Sequence, residues 1–322
     1  MAALNTENLQ DGLRSIDPYA RYLPPAPSQV QKEVYQIRPM AIGVEIFEYE
    51  SMLWIRPDHG GPSEKAGMPE LGLLLAINKK ETVNASLTEA STQIDRAIQK
   101  NWVALTVSNG PGGKAKTYVV RPERRKSPTI TWQEKVGFLV IRVRDFVAHD
   151  TATTLLSIYE TAVRPGSKTI IDLRSCSGGD LYESIAMAGM FIPEGLPLIQ
   201  SYDRSGRTKT YKSSTGKKLP APVGLLVDRR TASSAEIFAG ILRYYGSGIL
   251  IGEQTVGKCV SQTVVPLSDG GSLWLTNLGL RFPDNNSCTG KGLQPDMEYR
   301  DIAIYRLTEI VQAFRNPIQN HD

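Results

Sequence analysis

Two residues in this chain are of a type and placement that could carry acyl-transfer chemistry, Ser233 and Lys258. Ser233 lies in Thr231-Ala-Ser-Ser-Ala-Glu-Ile237, where an apolar helical stripe begins. Lys258 lies in Gly252-Glu-Gln-Thr-Val-Gly-Lys-Cys-Val-Ser-Gln262, at the expected end of a strand. A neutral lysine amine that accepts the serine proton turns the hydroxyl into a nucleophile. The lysine must first be made basic at a useful pH. Its ordinary pKa of about 10.4 has to fall toward ~7–8, which takes burial or a neighbouring positive charge. A purely structural reading competes at each position. Ser233-x-x-Glu236 is itself a capping box, and a lysine after a glycine is commonly a surface residue.

A second junction bears on the same chemistry. The apolar run Thr169-Ile-Ile-Asp-Leu173 leads into Arg174-Ser-Cys-Ser-Gly-Gly-Asp180 and then a helix. Gly178 and Gly179 leave backbone N–H groups unobstructed near a helix N-terminus, as an oxyanion hole requires. A plain strand-to-helix turn would look the same.

Other chemistries fit less well. Gly252-x-x-x-x-Gly257-Lys258 has the spacing of a phosphate-binding loop, but Cys259 replaces the hydroxyl that would hold magnesium, and Val260–Val265 reads as strand. Only His59, His149 and His321 could serve a Ser-His-Asp triad, and no GxSxG elbow is present. Cys176, Cys259 and Cys288 have no metal-like spacing, and no HExxH occurs, so a metal site is not expected. Three cysteines allow at most one disulfide and one free thiol.

The elements that must position these residues form two regions. After a proline-rich arm (1–39), strand-like runs at Ala41–Ile46, Met52–Ile55, Leu73–Ile77, Trp102–Val107 and Lys116–Val120 surround a helix capped by Ser86-x-x-Glu89. A short helix is expected at Pro62–Gly67, and Gly110-Pro-Gly-Gly113 reads as a hairpin turn. The pattern over 40–122 resembles a PDZ domain, with Ala41, Ile42, Gly43 and Val44 where its carboxylate-binding loop would lie. The segment Arg121–Pro128 reads as a boundary. From 123 to 315 strands (Val136–Val143, Thr169–Leu173, Val223–Val227, Ile249–Ile251) alternate with helices (Thr151–Val163, Leu181–Phe191, Ser234–Tyr245). Such alternation predicts an α/β core with a parallel or mixed sheet flanked by helices. Residues 316–322 form a tail.

Composition bounds the function. The chain has 322 residues, 41% hydrophobic and 22% charged, with a net charge of +4. Its charges are mixed, so nucleic-acid binding is not expected. The densest basic stretch, Arg204–Lys218, reads as a solvated loop. No apolar run approaches the ~18 residues of a membrane span. The first residues lack a signal peptide, which reads as cytoplasmic.

Taken in order, Ser15-Ile-Asp-Pro-Tyr-Ala-Arg-Tyr-Leu23, Ser63-Glu-Lys-Ala-Gly67, Ile171-Asp-Leu-Arg174 with Gly178-Gly179, Ser233-Ser-Ala-Glu-Ile237 and Gly252-Glu-x-Thr-x-Gly-Lys258 resemble the carboxyl-terminal processing peptidases, or tail-specific proteases. The resemblance implies a crotonase-like, protease-like core with an inserted PDZ-like domain. It implies Ser233 as nucleophile, Lys258 as general base and Gln262 as the residue that orients the lysine. It also implies oxyanion donors at Gly178, Gly179 and Ser234. The expected function is a cofactor-free serine endopeptidase acting on protein or peptide substrates with free C-termini. An extracytoplasmic location is implied if an export signal was removed, and a homo-oligomer stays open. Two alternatives remain at this point: an inactive, peptide-binding scaffold, and a crotonase-like acyl-thioester enzyme.

Overall fold

The structure, a computed structural model, describes residues 6–25, 41–123, 129–164, 166–214 and 219–299. The expected arm therefore lies outside the described residues except for 6–25. So do Met40, residues 124–128 of the boundary segment, residues 215–218 of the basic stretch, and the tail. The described residues fall into two compact units, one of 6–25 with 129–299 and the other of 41–123.

The first unit opens with α1 (Thr6–Ile16) and β1 (Arg21–Leu23). The helix lies in the part of the arm for which no element was expected, ahead of the proline-rich stretch from Asp17. Leu9, Leu13 and Ile16 recur at helical spacing in an otherwise polar segment. The helix stops before Asp17, because the residue preceding Pro18 is sterically driven out of the helical region.

The second unit is an antiparallel sheet ordered β2 (Val44–Tyr49), β3 (Met52–Pro57), β4 (Gly72–Ile77), β6 (Val103–Ser108), β7 (Lys116–Val120), with β5 (Lys80–Glu81) beside β4. The short helix α2 (Pro62–Lys65) and the longer α3 (Leu87–Ile98) complete it. The Ser86 hydroxyl accepts from the Glu89 N–H, and the Glu89 carboxylate accepts from the Ser86 N–H, so the expected capping box is formed. Ala90, Ile94 and Ala97 turn inward against Ile55, Leu74 and Leu105.

Back in the first unit, β8 (Ile130–Lys135) and β9 (Phe138–Val143) form a hairpin. A single strand over Val136–Val143 was expected. Instead Val136 (φ 51°) and Gly137 (φ 82°) both take left-handed conformations, the geometry of a two-residue hairpin turn. The chain continues through α4 (Thr151–Ala162), β10 (Lys168–Asp172), α5 (Leu181–Gly189), β11 (Pro197–Tyr202), β12 (Thr208–Lys212), β13 (Val223–Val227), α6 (Ser234–Tyr244), β14 (Gly248–Gly252), β15 (Val260–Pro266), β16 (Ser272–Arg281) and β17 (Met297–Glu298). One sheet has the order β17-β14-β13-β10-β9-β8, parallel throughout except at the β8 edge. Its central strands are continuous apolar runs because both faces are covered. A second sheet, ordered β1-β16-β11-β12 with β15 also on β16, was foreseen only at Val260–Val265. Within the stretch expected as a solvated loop, Thr208–Lys212 is instead an exposed edge strand.

Helix α6 is the spine of this unit. Every residue from Ser234 to Leu242 is buried. The Phe238 ring lies 6.1 Å from Phe146 and 6.2 Å from Phe191, centroid to centroid. Burial of a side chain this size stabilises by about 1.5–3 kcal/mol. A Cβ at Gly240 would run into the Phe282 ring, so the glycine admits that contact. No helix among the described residues is long and apolar enough to cross a membrane.

Candidate active site

Ser233 sits on the turn between β13 and α6, with φ 57° and ψ −123°. A serine in this region is strained by about 1–3 kcal/mol and persists only where its surroundings over-determine it. They do so here. The Ser233 N–H donates to Glu236 Oε2 (3.0 Å), and its carbonyl accepts from the Ile237 N–H (3.0 Å). One residue earlier the Ala232 N–H donates to the Cys176 carbonyl (3.0 Å), and the Thr231 hydroxyl donates to the Leu173 carbonyl (2.9 Å). The β10 and β13 junctions are thereby laced together.

The glycine loop after β10 closes on the same turn. The Arg174 guanidinium grips Asp172 through Nε and Nη2, both at 2.7 Å, in a buried fork that turns the chain. Gly178 (φ 107°) approaches so closely that a Cβ would lie 2.7 Å from Ser233 Cβ and 2.9 Å from Ser234 N. The Ser234 hydroxyl donates to the Gly179 carbonyl (2.9 Å), and the Phe146 N–H donates to the Gly178 carbonyl (2.9 Å). The Gly178 N–H faces the Cys176 sulfur. Among the described residues, the N–H groups of Gly179 and Ser234 have no acceptor.

Lys258 approaches from an irregular loop. It precedes β15 instead of ending a strand, which corrects the expectation from sequence. Its N–H donates to Glu236 Oε2 (2.7 Å), and the Gly257 N–H donates to Glu236 Oε1 (2.7 Å). The fully buried Glu236 carboxylate, which also accepts from Thr255, thus fastens the backbone of the lysine to that of the serine. Tyr19 holds the other side. Its hydroxyl donates to the Gly257 carbonyl (2.6 Å) and accepts from the Gly290 N–H (3.1 Å). The Tyr19 segment is itself anchored by Asp17, which accepts from the Thr276 N–H (2.7 Å) and hydroxyl (2.9 Å).

Ser233, Ser234, Gly179, Lys258 and Gln262 line one cleft of about 530 Å³, together with Arg21 and Asp145. The Lys258 ammonium is half-buried. Desolvation pushes its pKa below the ordinary lysine value, the Arg21 guanidinium adds to that effect, and Asp17 opposes it. Burial and a neighbouring positive charge, the two influences that lower a lysine pKa, therefore both act on Lys258. Among the described residues Lys258 Nζ and Ser233 Oγ make no direct hydrogen bond. Gln262 does not bond the lysine either. A register shift bends β15 between Ser261 and Gln262, and the Gln262 amide donates to the Tyr19 carbonyl (2.8 Å). Asp145, beside Gly179, has its pKa raised by desolvation. The Cys176 thiol is buried, and desolvation pushes it up to about 12, so it stays a neutral, inert thiol.

In the other unit, Ala41–Val44 leads into edge strand β2. The Ala41 N–H is taken by the Glu123 carbonyl (2.9 Å), whereas the Ile42 and Gly43 N–H groups have no acceptor among the described residues. Gly43 (φ 63°) makes the turn, and the Ser63 N–H and hydroxyl both donate to the Ile42 carbonyl.

Residues 137–299, which include both junctions and the lysine loop, match Peptidase family S41. This chain belongs to peptidase family S41. A Staphylococcus aureus (strain N315) protein named "Probable CtpA-like serine protease" is 28% identical over 286 residues, covering 87% of this chain and 57% of that protein. The chain thus spans little more than half the length of that relative. A "Carboxyl-terminal-processing protease" of Picosynechococcus sp. (strain ATCC 27264 / PCC 7002 / PR-6) is 30% identical over 295 residues, covering 87% and 69%. Among solved structures, the photosystem II D1 C-terminal processing protease shares the fold at a TM-score of 0.58 and 22% identity, over 96% of this chain and 86% of that one.

Within this S41 chain, four contributors to the site were not assigned roles from sequence. Glu236 reads as a helix cap until its second oxygen is seen on the lysine loop. Tyr19 and Arg21 lie in the quoted segment Asp17-Pro-Tyr-Ala-Arg21, but nothing in their spacing announces a contact with residues more than 200 positions away. Asp145 carries no local signal at all.

Proposed function

We propose that this S41 chain is a serine endopeptidase of the carboxyl-terminal processing type, working through Ser233 and Lys258 without a metal or organic cofactor. The observation that carries the reading is the buried Glu236 carboxylate, which ties the strained Ser233 turn to the Lys258 loop on the wall of one cleft.

In this reading Ser233 Oγ attacks the scissile carbonyl carbon while its proton passes to the neutral Lys258 amine. The developing oxyanion is received by the Gly179 and Ser234 N–H groups, which among the described residues have no other acceptor to give up. Gly178 serves by its lack of a side chain. The Lys258 ammonium then donates its proton to the leaving amine as the C–N bond breaks. Water resolves the acyl-serine, with the same amine taking the proton of the incoming water. Gln262 supports the lysine loop through Tyr19 and not by touching the lysine. Absence of a direct Ser233–Lys258 hydrogen bond suits a resting site that tightens when substrate enters.

The 41–123 unit is read as a PDZ domain that captures substrate C-termini. The Ile42 and Gly43 N–H groups would receive the terminal carboxylate, with Ala41 and Val44 framing the loop, and the open edge of β2 would pair with the tail. Wild type should cleave an unfolded protein substrate, and Ser233→Ala should not. Equal cleavage by the two, followed by gel or mass spectrometry, would remove the reading. Thermal stabilisation by a free-carboxylate peptide and not by its amide tests the PDZ assignment separately.

A further inference from the structure

The residue after Lys258 is one half of a disulfide. Cys259 is bonded to Cys288, with 5.4 Å between the Cα atoms, and both residues are fully buried. The two segments they join lack regular secondary structure, yet they fit closely. Gly290 N–H donates to the Gly257 carbonyl (2.8 Å), and the Thr289 hydroxyl donates to the Cys259 carbonyl (3.0 Å). Thr255 and Leu293 exchange hydrogen bonds: the Thr255 N–H to the Leu293 carbonyl (3.1 Å), and the Leu293 N–H to the Thr255 hydroxyl (2.7 Å). A Cβ on Gly257 (φ 89°) would lie 2.7 Å from Gly292 N, so the backbones touch where the lysine loop turns. The 288–293 turn is a buckle for the lysine loop, and the cystine is its covalent pin.

Cys288 also lines a separate cleft of about 510 Å³, with Gly240, Arg243, Gln254, Phe282 and Lys291. That cleft shares no lining residue with the one that holds Ser233. Cys288 is itself buried, so a thiol reaches its sulfur only when the 288–293 turn opens locally on that side, without entering the substrate cleft.

We propose that the Cys259–Cys288 disulfide positions Lys258, and that its reduction by a dithiol switches the peptidase off. The inference rests on Lys258 being the general base. In the reducing step a thiolate of the dithiol attacks the Cys288 sulfur, the S–S bond breaks, and Cys259 leaves as a thiolate that takes up a proton. The second thiol of the dithiol then attacks the mixed disulfide and releases Cys288. The protein gains two thiols and the dithiol becomes a cyclic disulfide, so two electrons are transferred. With the pin gone, the lysine loop is held by hydrogen bonds alone. Lys258 then samples more solvated positions, away from Ser233 and from the Arg21 charge that disfavours its ammonium.

Loss of a disulfide that only stabilised the fold would lower activity equally at all pH values. Loss of a positioning disulfide also moves the acid limb of the pH profile. That limb reports protonation of Lys258, in a cleft whose other charged or titratable groups include Arg21, Asp145, Asp180 and Tyr182 with Asp17 nearby. The test uses the full chain, oxidised and then reduced with dithiothreitol, with thiols counted in denaturant to show the change from one to three. On an unfolded protein substrate the reduced form should lose roughly ten-fold or more of its kcat/KM near neutral pH. Its acid limb should lie at higher pH, and reoxidation should restore both. A Cys259→Ser, Cys288→Ser double variant should match the reduced form and ignore dithiothreitol. Superimposable profiles before and after verified reduction would overturn the proposal. A uniform loss with an unmoved limb, paralleled by lost circular dichroism, would overturn it too, leaving the bridge a stabiliser. Lys258→Ala, run alongside, separates the layers. Activity retained there removes the base reading itself, whereas an inactive Lys258→Ala with a redox-indifferent wild type removes only the disulfide proposal.

Discussion

The serine and lysine sides of the cleft are built in opposite ways. Ser233 stands on a short turn between a paired parallel strand and a buried helix, its ends fixed by the sheet and the helix core. Lys258 stands on a loop with no ladder of its own, held by side chains and a cystine: Glu236 from one direction, Tyr19 from another, Cys288 from a third. The first arrangement can store strain because the strand before it, the helix after it and the cross-bonds of the turn over-determine it. The second can tune a charge, because a loop lets Arg21 and partial burial act on the amine without distorting the core. A nucleophile profits from rigidity. A base that must lose and regain a proton in each cycle profits from an adjustable setting.

The contrast is broken most severely where the two sides meet. Glu236→Gln replaces an acceptor of four hydrogen bonds with a group that offers one oxygen and an NH₂. The hydroxyl of Thr255 can turn to adapt; the three backbone N–H groups cannot. We expect kcat/KM to fall roughly a hundred-fold, with a stability loss of about 2–4 kcal/mol in urea titrations. Near-normal turnover in that variant would mean that the two segments are aligned by something else. Tyr19→Phe should act on the lysine side alone. Loss of its hydroxyl costs about 1–2 kcal/mol of stability and lowers kcat several-fold, with KM little changed. A KM effect of similar size would place Tyr19 in substrate binding instead.

The smallest effect sharpens the comparison through pH. Arg21 disfavours the Lys258 ammonium, and the proposed mechanism requires the neutral amine. Arg21→Gln should therefore raise the lysine pKa and move the acid limb of kcat/KM to higher pH, leaving the rate on the high-pH plateau nearly unchanged. A shift toward lower pH would contradict the sign. The substitution also removes the contact of Arg21 with the Trp274 ring (5.1 Å from the guanidinium carbon to the ring centroid).

The same contrast explains what could be read from the sequence. The serine side was legible because its parts are local. An apolar strand, two glycines and a capped helix follow one another within short windows, and helical or strand periodicity exposes each. The sheet of β10, β13 and β14 and the helices around it were foreseen on that basis. The lysine side was legible only as a motif. Its supports, Tyr19, Glu236 and Cys288, come from three distant stretches, and a pairing across such separations leaves no trace in composition or period. Helix α1 was missed because its apolar positions are few and proline-rich sequence follows. The β11, β12 and β16 strands were missed because β11 mixes Gln200 and Ser201 among its apolar residues and β12 and β16 are largely exposed or half-buried, so neither strict alternation nor a continuous apolar run marks them. The hairpin of β8 and β9 was hidden by Val136, a β-branched residue in a left-handed turn that strand propensity alone would continue through.

The central claim is that Ser233 is made nucleophilic by Lys258. The most direct measurement is the rate at which a serine-directed fluorophosphonate modifies the protein as pH is varied, with the adduct located by peptide mass spectrometry. The account predicts a single adduct on Ser233, a rate that rises with pH through one group titrating below the ordinary lysine range, and loss of that rise in Lys258→Ala. An adduct on another residue, or a pH profile unchanged by Lys258→Ala, would contradict it.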